Sequence, residues 1–119
     1  MSDSTYNIAI LRQAVAAFVT DRDWQQFHNP KNLSMSIAIE AAELMECFQW
    51  VAPERAVHAL RDDARRNAVA AELADVLIYM LSLANVIDVD LSEAVLDKIR
   101  RNGEKYPADE WRGKAKGVD

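Results

Sequence analysis

The sequence predicts an all-α fold of four to five helices, a bundle completed by oligomerisation, and three observations lead there. Apolar residues recur at spacings of three and four in several long stretches, the period of a helix buried along one face. Only three glycines and three prolines occur among 119 residues, while Ala, Leu, Glu, Arg and Lys recur throughout, a composition that favours helix over strand. Half the residues are apolar, enough to build one hydrophobic core at the usual size of one domain.

The first helix is expected from about Tyr6 to Val19, where Ile8, Leu11, Val15, Phe18 and Val19 follow the helical period. A polar and aromatic loop, Asp21 to Asn32, comes next, with Asn29-Pro30 favouring a turn at its centre. The second helix is expected from about Leu33 to Trp50, capped by Asn32, with Leu33, Ile37, Ala41, Leu44 and Phe48 on its apolar face. Pro53 follows this helix, and a short helix can restart there, since proline is tolerated at the first helical position.

A third long helix is expected from about Ala64 to Ile87, its buried stripe made of Val69, Leu73, Val76, Leu77, Met80 and Ala84. Asp88 to Asp90 is the turn after it. Asp90 stands three residues before Glu93, the spacing of a capping box, so a fourth helix starts there and Gly103 sits where a C-terminal cap glycine belongs. The whole of 1–119 is expected to be a single domain with a loose tail from about residue 108.

The formal charge of −5 argues against stable nucleic-acid binding, because no basic stripe is available to displace counterions from phosphates. An acidic chain that binds polyphosphate needs a cation to screen its carboxylates. The lone Cys47 and a first segment, MSDSTYN, without an apolar run point to a reducing, cytoplasmic setting. Charges interrupt even the richest apolar stretch, so no membrane association is expected.

The chemistry lies in two carboxylate pairs. Glu40 and Glu43 are three apart on the second long helix, and Glu72 and Asp75 repeat that spacing on the third, so each pair projects from nearly one face. Two helices packed roughly 8–10 Å apart can bring the pairs together as four hard oxygen ligands, which suits Mg²⁺, with Mn²⁺ as a substitute. Glutamate pairs at this spacing are common on solvated faces. These, however, are embedded in apolar sequence, Ile39-Glu40-Ala41-Ala42 and Val69 to Ile78, with no Lys or Arg one helical turn away. Carboxylates in such surroundings are seldom left without a partner.

Glu40-x-x-Glu43 followed, after 28 intervening residues, by Glu72-x-x-Asp75 resembles the signature of the MazG-like all-α nucleotide pyrophosphohydrolases. The run Asp23 to Leu33, together with Phe48-Gln49-Trp50, Asp75 to Tyr79 and Lys105-Tyr106-Pro107, is similar to the dCTP pyrophosphatase branch of that superfamily. The resemblance covers roughly residues 8 to 107 and implies hydrolysis of (deoxy)nucleoside triphosphates at the α–β bond, with cytosine deoxynucleotides preferred, as in nucleotide-pool house-cleaning. It implies Glu40, Glu43, Glu72 and Asp75 as catalytic magnesium ligands. It implies Trp24, Gln25, Gln26, Phe27, His28 and Trp50 at the base, Tyr79 at sugar or phosphate, and Asn102 and Lys105 as further substrate contacts. It also implies a homodimer or a homotetramer built as a dimer of dimers. One departure concerns the first helix, which has no histidine where some eukaryotic members of that branch carry one against the substrate.

Two other readings compete. A carboxylate-bridged di-iron bundle would place His three residues after a core Glu, and here those positions are Glu43 and Asp75. A noncatalytic helical module would use the acidic face only to dock a basic partner, and would be indifferent to magnesium.

Overall fold

The computed structural model describes residues 1–118, and their elements are all helical apart from an isolated bridge between Ala115 and Val118. The helices are α1 (Ile8–Asp21), α2 (Pro30–Glu46), α3 (Ala56–Ala59), α4 (Asp63–Ile87), α5 (Leu91–Lys105) and α6 (Ala108–Trp111), with short 3₁₀ turns at Gln25–Phe27 and Pro53–Arg55. The residues group into two compact units, Met1–Asp88 and a second starting at Val89.

In the first unit each long helix begins on a side-chain cap. Asn7 Oδ1 accepts from Ile10 N at 3.0 Å, Asn29 Oδ1 from Asn32 N at 2.9 Å, and Asp62 Oδ2 from Arg65 N at 3.0 Å. The cap of α2 is therefore Asn29, not the expected Asn32, because Pro30 suits the first helical position, where no N–H is needed. Asn32 instead donates its amide to Phe27 O at 3.1 Å, which fastens the aromatic loop to α2. The helix also stops sooner than expected. Cys47, Phe48 and Gln49 turn their N–H groups to carbonyls three residues back, and Arg65 Nη1 donates to the Cys47 carbonyl at 3.2 Å.

That arginine ties the start of α4 to the end of α2, so the two helices run antiparallel along one another. On α4's other flank lies α1. Arg12 donates to Asn85 Oδ1 at 2.9 Å and to Ala84 O at 3.0 Å, while Asn85 Nδ2 returns a bond to Arg12 O at 3.1 Å. Val15, Val19, Leu33, Val69, Leu81 and Ala84 are the buried apolar residues of the described chain. Leu73, Leu77 and Met80, expected inside, are exposed, because α1 and α2 cover only part of the circumference of α4. By length and composition α4 could cross a membrane, yet it carries Glu72 and Asp75 near its middle, where charge in lipid is costly.

In the second unit Asp90 Oδ1 accepts from Glu93 N at 2.8 Å and starts α5 as expected. Gly103 is not the cap. The helix continues to Lys105, Tyr106 N bonds to Asn102 O at 2.8 Å, and Pro107 prevents a further turn. After Pro107 the short helix α6 covers Ala108–Trp111, the first residues of the segment expected to be loose, and Trp111 meets Tyr106 edge to face at 5.0 Å.

Candidate functional site

Glu40 and Glu43 on α2 and Glu72 on α4 each offer a carboxylate oxygen, and the three oxygens lie within 4.8 Å of one another. Oxygens on opposite sides of a magnesium ion stand about 4.2 Å apart, so the trio is nearly gathered for such an ion. Glu40 Oε2 and Glu72 Oε2 are buried and have no hydrogen-bond partner, and no ion pair reaches these acids among the described residues. Buried carboxylate oxygens without donors are what a hard divalent cation satisfies. The donor set therefore fits the metal.

Electrostatics agree with the geometry. Burial, then the neighbouring Glu43 and the charges of Asp75 and Glu72, push the Glu40 carboxyl above its ordinary range. Burial, followed by Glu43, Asp75 and Glu46, does the same to Glu72. Asp75 is outside the close trio. It lines, with Glu40, an adjoining cleft of about 270 Å³.

That cleft is aromatic. Phe18, Trp24, His28 and Tyr79 line it. Phe18 meets Trp24 edge to face at 5.7 Å, and the His28 ring lies 6.3 Å from both Trp24 and Tyr79. Helix geometry explains part of this assembly, because Glu72, Asp75, Tyr79 and Ser82 follow one another at spacings of three, four and three and so share one face of α4. Ser82, also a lining residue, places its Oγ 3.0 Å from His28 Nδ1.

Other expected substrate residues are placed elsewhere. Gln25 Nε2 donates to Thr20 Oγ1 of α1 at 3.1 Å, which ties the loop to that helix, and Gln26 Nε2 donates to Asp23 O at 3.0 Å within the loop itself. Phe27 is 58% exposed and Trp50, in the turn after α2, is 89% exposed; neither lines the cleft. Asn102 and Lys105 are on α5 in the second unit, where the Lys105 ammonium lies 5.4 Å from the Tyr106 ring centre.

Phe18 and Ser82 were not legible as site residues. Phe18 has the period of an ordinary core stripe, and nothing local marks it otherwise. Ser82 carried a usable signal, a polar residue within Met80-Leu81-Ser82-Leu83 at the correct spacing from Tyr79 and Asp75.

The profile of the MazG-like family matches residues 35–118, a span that takes in all four carboxylates. The chain belongs to the MazG-like family. It is 41% identical over 105 residues to dCTP pyrophosphatase 1 of Bos taurus, covering 88% of this chain and 62% of that protein. It is 42% identical over 98 residues to dCTP pyrophosphatase 1 of Homo sapiens, covering 82% and 58% respectively. The chain thus spans about three fifths of the length of these relatives. The crystal structure of a pyrophosphatase from Archaeoglobus fulgidus superposes with a TM-score of 0.79 at 38% identity, covering 90% of this chain and 98% of that one. The all-α MazG-like fold follows from both comparisons.

Proposed function

We propose that this chain hydrolyses (deoxy)nucleoside triphosphates at the α–β bond to the monophosphate and pyrophosphate, favouring dCTP or modified cytosine deoxynucleotides, with Mg²⁺ held by Glu40, Glu43, Glu72 and Asp75. The observation that carries this reading is the pair of buried, partnerless oxygens, Glu40 Oε2 and Glu72 Oε2, beside an aromatic cleft. Relatives named dCTP pyrophosphatase 1 support the reaction class, and their name is what suggests the base. The cation, when bound, supplies charge neutralisation and Lewis acidity toward the phosphate oxygens.

The rest is the work of the chain's own groups. Trp24 offers a ring face on which a base stacks, and Phe18 braces that ring through an edge-to-face contact. Tyr79, one turn along from Asp75, reaches the sugar or a phosphate oxygen. A carboxylate oxygen not engaged by the cation accepts the proton of the attacking water.

Trp50, Phe27, Gln25, Gln26, Asn102 and Lys105 belong to this proposal only through substrate-induced movement or a second copy of the chain. A second copy has a surface to cover: Ile39, Met45, Leu73 and Leu77 are exposed, and Leu44, Met45, Phe48, Val69 and Leu73 line an open apolar groove. We take the working form to be a homodimer or dimer of dimers of a single MazG-like domain. The unpaired Cys47 accords with a cytoplasmic setting.

The deciding experiment incubates the protein with dCTP, dUTP, dTTP and dATP, with Mg²⁺ or with chelator, and resolves the products. Monophosphate and pyrophosphate are expected, fastest from dCTP and only with the metal. No turnover of any triphosphate would sink the reading and leave the acidic face as a docking surface.

A further inference from the structure

Ser82 is a buried polar residue, 4% exposed, in the most apolar part of α4. Serine in a helix commonly turns its hydroxyl back to the carbonyl four residues earlier. Here, among the described residues, its side chain has a single hydrogen-bond partner, His28 Nδ1, at 3.0 Å. The hydroxyl hydrogen has no other acceptor, and a buried hydroxyl that fails to donate keeps its full desolvation penalty. The 3.0 Å contact admits either direction, and the arrangement in which Ser82 donates and Nδ1 accepts is the one that satisfies the hydroxyl hydrogen.

A neutral imidazole has one protonated nitrogen, and which one is set by the partner of the other. With Nδ1 accepting, the proton is on Nε2. We infer that Ser82 is a positioning residue that locks His28 in its Nε2-protonated tautomer, giving the cleft one fixed donor that selects an unprotonated ring nitrogen on a pyrimidine base.

The ring geometry supports that use. The His28 plane is tilted only 35° from that of Trp24, with the centroids 6.3 Å apart. Both rings line the same cleft, and with this modest tilt a base stacked parallel to Trp24 and lying beside His28 would present its edge, not its face, to an imidazole N–H. Tyr79, 6.3 Å away, flanks the imidazole from another direction and limits its swing. Cytosine offers N3 as an acceptor, whereas in uracil and thymine N3 carries a hydrogen and two donors would face each other. One missing or opposed hydrogen bond in such a pocket discriminates strongly.

This inference rests on the nucleotide reading above, and its test separates the two. Imidazole ¹⁵N spectra at about pH 8.5, where a free imidazole is neutral, are recorded on the wild type, Ser82→Ala and Ser82→Thr. The sequence has two histidines, so His58→Gln assigns the signals of His28. The wild type is expected to show Nε2 protonated, Ser82→Ala a mixture of tautomers, and Ser82→Thr the wild-type pattern. The dCTP to dUTP ratio of kcat/KM is expected to fall about tenfold in Ser82→Ala and to recover in Ser82→Thr. Retained helical circular dichroism verifies that Ser82→Ala folds. A wild-type ring protonated at Nδ1, or one unchanged by Ser82→Ala, overturns the lock even in an active enzyme. A shifted tautomer with an unchanged base ratio overturns the selection. Absence of all triphosphate turnover overturns the nucleotide reading and the selection together, while the spectra still decide the lock.

Discussion

Two acidic clusters in this chain are built from the same residue types and have opposite surroundings. On α5, Asp97 and Glu104 are exposed and paired: Arg100 bonds Asp97 at 3.1 Å and Glu104 at 2.8 Å, and Arg101 bonds Asp97 at 2.9 Å. On α2 and α4, Glu40 and Glu72 bury an oxygen each and have no cation beside them. The α5 acids satisfy their charge along their own helix, in water, where such pairs contribute little. The α2 and α4 acids are gathered by tertiary packing at a cost that an added cation, or protonation at low pH, relieves. Charge that is costly to bury and left unpaired marks a site, whereas charge paired one turn away marks a surface.

The largest expected effect separates the clusters outright. Glu72→Gln, Glu43→Gln or Asp75→Asn should lower metal-dependent turnover by at least about a hundredfold, with folding retained, whereas Asp97→Asn should leave kcat and KM unchanged. Steady-state kinetics on purified variants checks this, and full activity in the first group would remove the carboxylates from the metal site. Next, Trp24→Ala should raise KM for dCTP roughly tenfold, in keeping with about 1–3 kcal/mol for base stacking, more than it lowers kcat. Equal kinetics would take the ring out of the base pocket.

A smaller effect concerns pH. The folded-state carboxyls of Glu40 and Glu72 are raised above 4.5 by burial and like charge. The folded state thus holds these protons more tightly than the unfolded one. The resulting stability is present below the ordinary value and is lost as pH rises through the raised one. In chelator, the melting temperature of the wild type should fall more steeply than that of Glu72→Gln over this range, and Mg²⁺ should erase the difference. Parallel melting curves would mean the two acids do not share a desolvated site. The smallest effect belongs to α5: Asp97→Asn should change stability by no more than about 0.5 kcal/mol, measured by denaturant unfolding.

Much of this contrast was legible before any fold. Three-residue spacing puts Glu40 with Glu43 and Glu72 with Asp75, and the lack of a basic residue one turn away separates them from Asp97, which has Arg100 and Arg101 within reach. The helices were legible for the same reason, since the period of apolar residues is a local property. Local signals that competed were harder to rank. Asn29 and Asn32 both suit a cap, and Pro30 decides between them. Gly103 suits a helix end, but Pro107 sets it instead.

The sequence by itself determined the helical class, the apolar faces, the two carboxylate pairs and, through their resemblance to a known signature, the family. Tertiary structure alone decided that Glu72 meets Glu40 and Glu43 across two antiparallel helices, that Phe18 leaves the core stripe for the cleft, and that Trp24 and His28 enter that cleft while Phe27 and Trp50 do not. The division has a physical origin. Position around one helix repeats every 3.6 residues and can be counted along the chain, whereas the distance between helices depends on how side chains far apart in sequence fill the space between them.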